Sequence, residues 1–125
     1  MQMLARYADR IYAVMRIIVG LLFACHGGQK VLGLFGGAPP EAPAFVIWVA
    51  GTIELVGGLL VAIGLLTVPA AFLSSGLMAF AYFMAHQPQG LLPIQNHGEL
   101  AVIYCWIFLY IAAKGSGPLS VDAGR

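Results

Sequence analysis

The chain has little charge. Six basic and five acidic residues make up only 9% of its 125 residues, whereas charged residues are about a quarter of an ordinary soluble domain. The net charge is +1 and no cluster of Lys or Arg occurs, which excludes the basic surface that nucleic-acid binding needs. Cysteine is scarce too. Cys25 and Cys105 lie in apolar runs, where a thiol acts as a small hydrophobe and says little about redox compartment.

Long apolar segments are abundant instead. Apolar residues make up 61% of the chain and its mean hydropathy is +0.91, which indicates an integral membrane protein. Crossing a hydrocarbon core of about 30 Å takes about 20 helical residues. Four segments satisfy this requirement, at about 11–32, 44–66, 69–86 and 98–114. We therefore expect an all-α fold, a bundle of four transmembrane helices forming one membrane domain over residues 1–125.

Basic residues indicate how the bundle is oriented. Arg6, Arg10, Lys114 and Arg125 flank the two termini, whereas Lys30 is the basic residue near the membrane on the opposite side. Positive residues favour the cytoplasmic side of a membrane. We therefore expect both termini in the cytoplasm and a multi-pass location in the inner, or plasma, membrane.

The N-terminal segment also resembles a secretory signal, because Arg6 and Arg10 precede an apolar run that begins at Ile11. The bulky Phe23 stands where a cleavage site prefers a small residue, and the apolar run is longer than a typical signal core. We therefore expect an uncleaved first span.

Polar residues gather in one half of the membrane. On the first span, His26 and Lys30 are spaced i and i+4 and so share a face. The predicted orientation places a larger set of polar residues in the outer half of the bundle, close enough to form a pocket for a small molecule or a proton relay. The expected ligand-binding residues are His26, Gln29, Lys30, Glu54, His86, Asn96, His97 and Glu99.

Glu54 carries the most energetic weight in this set. A charged residue at a helix centre costs roughly 2.5–3.5 kcal/mol on insertion, and each Leu, Ile, Val or Phe returns roughly 0.3–0.6 kcal/mol. The apolar residues of 44–66 outweigh that cost, but the buried carboxylate still needs a proton or a cationic partner, for which Lys30 and a protonated His26 are the candidates. Glu54 and His26 are accordingly the best candidates for catalytic residues.

Simpler interpretations exist for several of these residues. Asn96 and Glu99 have the spacing of a capping box at the start of the fourth span. His26 and His86 could be interfacial residues, and the long stems of Lys30 and of Arg16 could carry their charges towards the headgroups.

Two further patterns are read as structural. Small residues along the second span, Gly51, Gly57, Gly58 and Gly64, favour close packing of neighbouring helix backbones. Tyr104, together with other aromatic residues, is expected at the outer interface of the membrane.

The whole arrangement resembles the DoxX family of small four-helix bacterial and archaeal membrane proteins. The matching pieces are "RIIVGLLFACHGGQKVLGLFGG", "IELVGGLLVAIGLLT", "MAH", "NHGELAVIYCWIFLY" and "GSGPLSVD", in that order. The resemblance implies a membrane component associated with oxidoreductases and with quinol oxidation. The polar motif residues of the family would then be His26, Gln29, Lys30, Glu54, His86, Asn96 and Glu99.

Three classes of function remain open. In the first, the pocket binds a quinone or a related small molecule, and Glu54 and His26 exchange protons while Lys30 holds the carboxylate; a redox partner protein is then expected. A bound metal or haem is a weaker variant, since no His-x-x-His, Cys-x-x-Cys or Glu-x-x-His spacing occurs. The second class is proton-coupled transport, which would require a homo-oligomer. The third is a non-catalytic anchor or assembly partner.

Overall fold

The computed structural model describes residues 2–124, in which helices are joined by loops and no strand occurs. The α-helices are α1 (Gln2–Ala5), α2 (Ala8–Val31), α3 (Gly51–Ile63), α4 (Thr67–Ala81), α5 (Pro93–Asn96) and α6 (Glu99–Lys114). A π-helical turn, Val46–Ala50, leads into α3, and a second, Tyr82–His86, continues α4. The four longer helices pack as a bundle and lie within or close to the four segments predicted from the sequence.

Within residues 2–124, three helical segments are long and apolar enough to cross a membrane: Ala8–Val31, Val46–Ile63 and Thr67–Gln89. The fourth predicted span is represented by α6, whose 16 residues reach only about 24 Å at about 1.5 Å per residue. Its side chains nevertheless belong to the core, since Phe23 of α2 packs on the rings of Tyr104 and Phe108 with centroids 5.1 and 4.6 Å apart.

The turn between α3 and α4 lies earlier than predicted. The second span was expected to end at residue 66, but α3 ends at Ile63 because Gly64 adopts the left-handed conformation, with φ of 73°. The next helix then begins at Thr67, before the expected residue 69.

Glycines bring α2 and α3 into backbone contact. A Cβ added to Gly20 would lie 2.6 Å from both the Ala62 nitrogen and the Gly58 oxygen. A Cβ on Gly27 would overlap the Leu55 nitrogen and lie 2.5 Å from the Gly51 oxygen. The sequence pattern identified small residues only on the α3 side of this contact, whereas α2 contributes equally. The two helices therefore approach each other more closely than any larger residue would allow.

The two chain ends meet at one end of the bundle, which we call the chain-terminal end and define by Tyr12, Arg16, Gly64 and the segment 115–122. The Tyr12 hydroxyl donates a hydrogen bond to the Gly115 carbonyl at 2.6 Å. On the same side, Lys114 approaches Asp9 to 4.0 Å. The N-terminus of α2 and the C-terminus of α6 therefore face the same side of the bundle.

Arg16 is fully buried at this end, so the expectation that it extends to the headgroups is wrong. Its Nε donates to the Val61 carbonyl at 3.0 Å. Its Nη1 donates to Ser116 at 2.6 Å and to Pro118 at 3.1 Å, and its Nη2 donates to Leu119 at 2.7 Å. A guanidinium has five N–H donors. Here the acceptors are backbone carbonyls at the end of α3 and in the C-terminal segment 115–122, which we call the tail. The tail is thereby held against the bundle.

Asp122 completes the attachment of the tail. Its two carboxylate oxygens accept hydrogen bonds from the backbone nitrogens of Leu66, at 3.1 Å, and Thr67, at 2.9 Å. These nitrogens belong to the unpaired first turn of α4, where a negative charge is also favoured by the helix dipole.

Candidate ligand-binding cavity

A cavity of about 350 Å³ lies between the helices at the other end of the bundle, which we call the cavity end. Five of the eight predicted site residues line it: His26, Lys30, Glu54, His86 and His97. The remaining wall is almost entirely apolar and aromatic. A mostly apolar cavity of this size with a few convergent polar groups is typical of a small-molecule site.

An ion pair forms the polar floor of the cavity. The Lys30 Nζ lies 2.6 Å from the Glu54 Oε1, and the two side chains are 16% and 5% exposed. The stem of Lys30 passes over Gly51, one helical turn before Glu54, where an added Cβ would lie 2.9 Å from the Lys30 Cβ. Gly51 therefore makes room for the lysine stem, and the pair joins α2 to α3 across the site. Lys30 consequently does not extend to the headgroups.

Two polar groups beside this pair are not used by the fold. The His26 ring meets the Tyr104 ring edge to face, with centroids 6.1 Å apart. Within residues 2–124 neither the His26 ring nor the Tyr104 hydroxyl forms a hydrogen bond. Both residues line the cavity and the His26 ring is only half-buried, so these two groups are available to a molecule there.

His86 lies on another wall of the cavity and is held in a defined orientation. Its Nδ1 is 3.1 Å from the Asn96 carbonyl oxygen, and its ring stacks on Tyr82 with centroids 6.4 Å apart. A carbonyl can only accept a hydrogen bond, so Nδ1 carries the proton and Nε2 of the neutral ring is an acceptor.

Asn96 does not line the cavity, although its position was predicted to belong to the site. Its side chain is fully buried and donates to the Tyr82 hydroxyl at 3.0 Å and to the Gly90 carbonyl at 3.1 Å, while its Oδ1 accepts from the Gly98 nitrogen at 2.9 Å. Asn96 therefore fixes the link between α4 and α6, which positions His86. The alternative interpretation of Asn96 and Glu99 as a capping box is wrong, since Gly98 is the N-cap of α6 and no side chain caps that turn.

Three other predicted residues lie at or beyond the edge of the cavity. His97 lines its mouth, is exposed, and adopts a left-handed backbone conformation with φ of 61°. Glu99 is exposed in the first turn of α6, where the helix dipole favours an acidic residue. Gln29 is half-buried on α2, and neither it nor Glu99 lines the cavity.

Tyr104 was missed as a site residue, because it was interpreted as an interfacial aromatic. It is only 6% exposed and lines the cavity beside His26 and Glu54. The sequence carries no clear signal for this, because α6 is apolar all round and its buried face (Ala101, Tyr104, Phe108 and Ile111) is defined only by packing.

Metal binding has no geometric support in the part of the chain that the structure describes. Within residues 2–124, no three His, Cys, Asp or Glu side chains come close enough together to hold an ion.

Comparison with known proteins identifies the family. The DoxX family model matches residues 11–87, more than half of the chain. The chain belongs to the DoxX family. It is also similar to a Haemophilus influenzae protein described as an uncharacterized protein, with 38% identity over 129 residues that cover 98% of this chain and 96% of that one. No solved structure matches.

The DoxX match covers only part of the cavity lining. The matched segment contains His26, Lys30, Glu54 and His86, whereas α6 and its Tyr104 lie outside it. Membership in the DoxX family, together with the three long apolar helices, indicates a multi-pass membrane protein in contact with the lipid bilayer.

Proposed function

We propose that this DoxX protein is a membrane subunit of a redox assembly and binds a quinone or quinol in the cavity. One observation carries the proposal: an ion pair, Lys30–Glu54, lies in an apolar cavity beside His26 and Tyr104, whose polar groups form no hydrogen bond within residues 2–124. Hydrogen-bonding groups within an apolar enclosure match a ligand with a polar head and an apolar body.

The side chains of the cavity fit the ring oxygens of such a ligand. The Tyr104 hydroxyl can donate a hydrogen bond, and the His26 ring can donate or accept one. When bound, a quinol supplies electrons and protons together. His26 and Glu54 are the groups that would take up those protons, and Lys30 holds the carboxylate in place. The electron donor or acceptor would reside on a partner protein.

The same proposal includes a fourth membrane crossing. The two chain ends lie at one end of the bundle, and an even number of crossings is required to keep them on one side of a membrane. A helix of about 24 Å can cross a bilayer if the bilayer thins locally or if flanking residues reach to the interface. The excess of Arg and Lys near the termini favours the cytoplasm for that end, and the inner membrane as the location.

The decisive experiment measures quinone that co-purifies with the protein. Wild type and two variants, Glu54→Gln and Glu99→Gln, would be purified gently in mild detergent, and bound quinone would be extracted and quantified by chromatography. Glu99 is the matched control because it is an exposed glutamate outside the cavity. We expect a quinone in wild type and in Glu99→Gln, and a loss of about tenfold in Glu54→Gln, as for a lost charged hydrogen-bonding group.

Two results would overturn the proposal. Wild-type protein that carries no quinone and binds none on addition would leave an anchor as the remaining interpretation. Equal quinone content in both variants would remove Glu54 from the site. The particle mass in the same detergent tests the transport alternative, which requires a homo-oligomer.

A further inference from the structure

The backbone departs from α-helical geometry on two sides of the cavity. The π-helical turn Val46–Ala50 precedes α3 and the turn Tyr82–His86 follows α4, and both contribute lining residues. A π-helical turn interrupts the regular helical packing and is frequent at functional sites. The two turns belong to adjacent helices, so the seam between them is the place where the cavity wall is least regular.

An aromatic pair lies at this seam. Phe45 immediately precedes the first π turn and Phe80 lies just before the second, and their rings meet edge to face with centroids 6.0 Å apart. Both residues line the cavity, yet they are 51% and 48% exposed on the outer surface of the bundle. Each ring therefore contacts the cavity on one side and the surroundings on the other. In a membrane protein, those surroundings are lipid at the depth of Phe80, which is within a helix long enough to span.

We propose that Phe45 and Phe80 form a lateral portal, through which a lipid-borne amphiphile passes from the bilayer into the cavity. This inference rests on the proposed function, and it adds the route of access and the class of ligand. The ligand has a polar head, which reaches Lys30 and Glu54, and an apolar tail, which stays between the two rings and in the lipid. An edge-to-face ring pair contributes about 0.5–1.5 kcal/mol, so thermal motion opens it readily.

The charges in the cavity agree with this route. The ion pair joins α2 to α3, the aromatic seam joins the segment before α3 to α4, and His97, a polar and exposed residue, lies in the link before α6. An apolar tail that left through the seam would meet the two Phe rings and the exposed Met84, which also lines the cavity. A water-soluble substrate would instead favour the mouth at His97.

The portal can be tested by the rate at which a tailed probe binds. The probe is a benzoquinone that carries a decyl chain, added to protein in lipid nanodiscs. Binding is followed in stopped flow by quenching of tryptophan fluorescence, after subtraction of the signal from the Glu54→Gln protein. The variants are Phe80→Ala, which opens the seam, and Phe80→Trp, which fills it. Phe72→Ala is the matched control, since Phe72 is an exposed residue of the same helix that does not line the cavity.

A reversible block provides a second measurement on one folded preparation. Cysteines at positions 45 and 80, in a background with Cys25→Ser and Cys105→Ser, would be joined by a bifunctional thiosulfonate and later released by a reducing agent. We expect cross-linking to slow binding of the tailed probe about tenfold, as closure of a gate does, and reduction to restore it. We expect Phe80→Ala to accelerate binding several-fold, Phe80→Trp to slow it, and Phe72→Ala to leave it unchanged.

The outcomes separate this inference from the function on which it rests. If the probe binds in a manner that depends on Glu54 but neither the cross-link nor the Phe80 variants change its rate, the portal is wrong and the binding site remains. If the probe binds equally to wild type and Glu54→Gln at equilibrium, the proposed function itself is wrong. Should Phe80→Ala fail to fold, the reversible cross-link still decides the question.

Discussion

The two ends of the bundle both contain buried polar side chains, and they use them differently. At the chain-terminal end, the Arg16 guanidinium donates hydrogen bonds to backbone carbonyls, and the Asp122 carboxylate accepts hydrogen bonds from backbone nitrogens. At the cavity end, the ion pair lies beside the His26 ring and the Tyr104 hydroxyl, which form no hydrogen bond within residues 2–124. Hydrogen bonds between side chains and the backbone stabilise the fold, whereas polar groups that line a cavity without such bonds can bind a ligand.

Arg16 and Lys30 show this difference within one helix. Both are basic residues of α2, and neither extends to the membrane surface. Arginine presents several donors in a fixed plane, which suits a cage of carbonyls. Lysine is a compact charge, which suits one carboxylate. The comparison predicts that variants at the chain-terminal end change stability alone, and that variants at the cavity end also change binding.

The largest effect is expected for Arg16→Met. The substitution leaves the carbonyls of Val61, Ser116 and Leu119 without their donor, and each buried unpaired group costs about 1–3 kcal/mol. We expect the free energy of unfolding, measured by SDS titration in mixed micelles, to fall by about 5 kcal/mol. The control is Arg10→Met, an exposed position on the same helix, where less than about 0.5 kcal/mol is expected. Equal losses would show that the carbonyl cage contributes nothing.

A smaller loss is expected for Lys30→Met, which leaves Glu54 buried without its partner. Removing one partner of a buried ion pair lowers the free energy of unfolding by about 3–5 kcal/mol. We expect a loss near the lower end of this range, because the Glu54 carboxyl can take up a proton. The double variant Lys30→Met, Glu54→Gln should recover much of this stability but bind no quinone.

Lys114→Met is the matched control for the lysine, since its 4.0 Å pair with Asp9 is largely exposed and worth less than about 1 kcal/mol. If the double variant were as unstable as Lys30→Met, the pair would not be coupled and its description as a unit would be wrong.

An intermediate effect is expected for Gly27→Ala, which tests the link between the scaffold and the site. The new methyl group would overlap the backbone of Leu55, the neighbour of Glu54, and overpacking of this kind costs about 1–3 kcal/mol. We expect both stability and quinone binding to decrease, because α3 must move away from Lys30. Gly76→Ala is the control, since nothing lies within 4 Å of its added Cβ and helix propensity should increase slightly. Unchanged binding in Gly27→Ala would separate the glycine contact from the site.

The smallest effect is expected for Asp122→Ala, which removes the cap of α4 at the chain-terminal end. Loss of a helix cap costs about 1 kcal/mol. Thermal unfolding followed by circular dichroism should show this decrease, with quinone content unchanged. A decrease in quinone content would contradict the separation of the two ends.

The grouping of His26, Lys30 and Glu54 could be predicted from the sequence, because it depends on spacing along one helix and on the cost of a buried charge. A helix places Lys30 one turn from His26, and an acid at mid-span needs a cation, so the pairing with Glu54 could be anticipated. The role of Asn96 could not be anticipated from the sequence. Its amide donates hydrogen bonds to the Tyr82 hydroxyl and the Gly90 carbonyl, which come near it only when the chain turns back from α4 to α6. The position of Tyr104 in the cavity could not be anticipated either, because the buried face of α6 is defined only by residues of other helices that pack on it, such as Phe23.

By itself, the sequence determined that this chain is helical, membrane-bound and a member of the DoxX family, because hydrophobic length and residue order are local properties. Tertiary structure alone decided that Arg16 turns inward to the tail and that Tyr104 faces the cavity. It also decided that Phe45 and Phe80 meet at its wall. The reason is physical: apolar surface drives insertion wherever it occurs along the chain, whereas a hydrogen bond or a ring contact requires partners from distant segments at distances of a few ångströms.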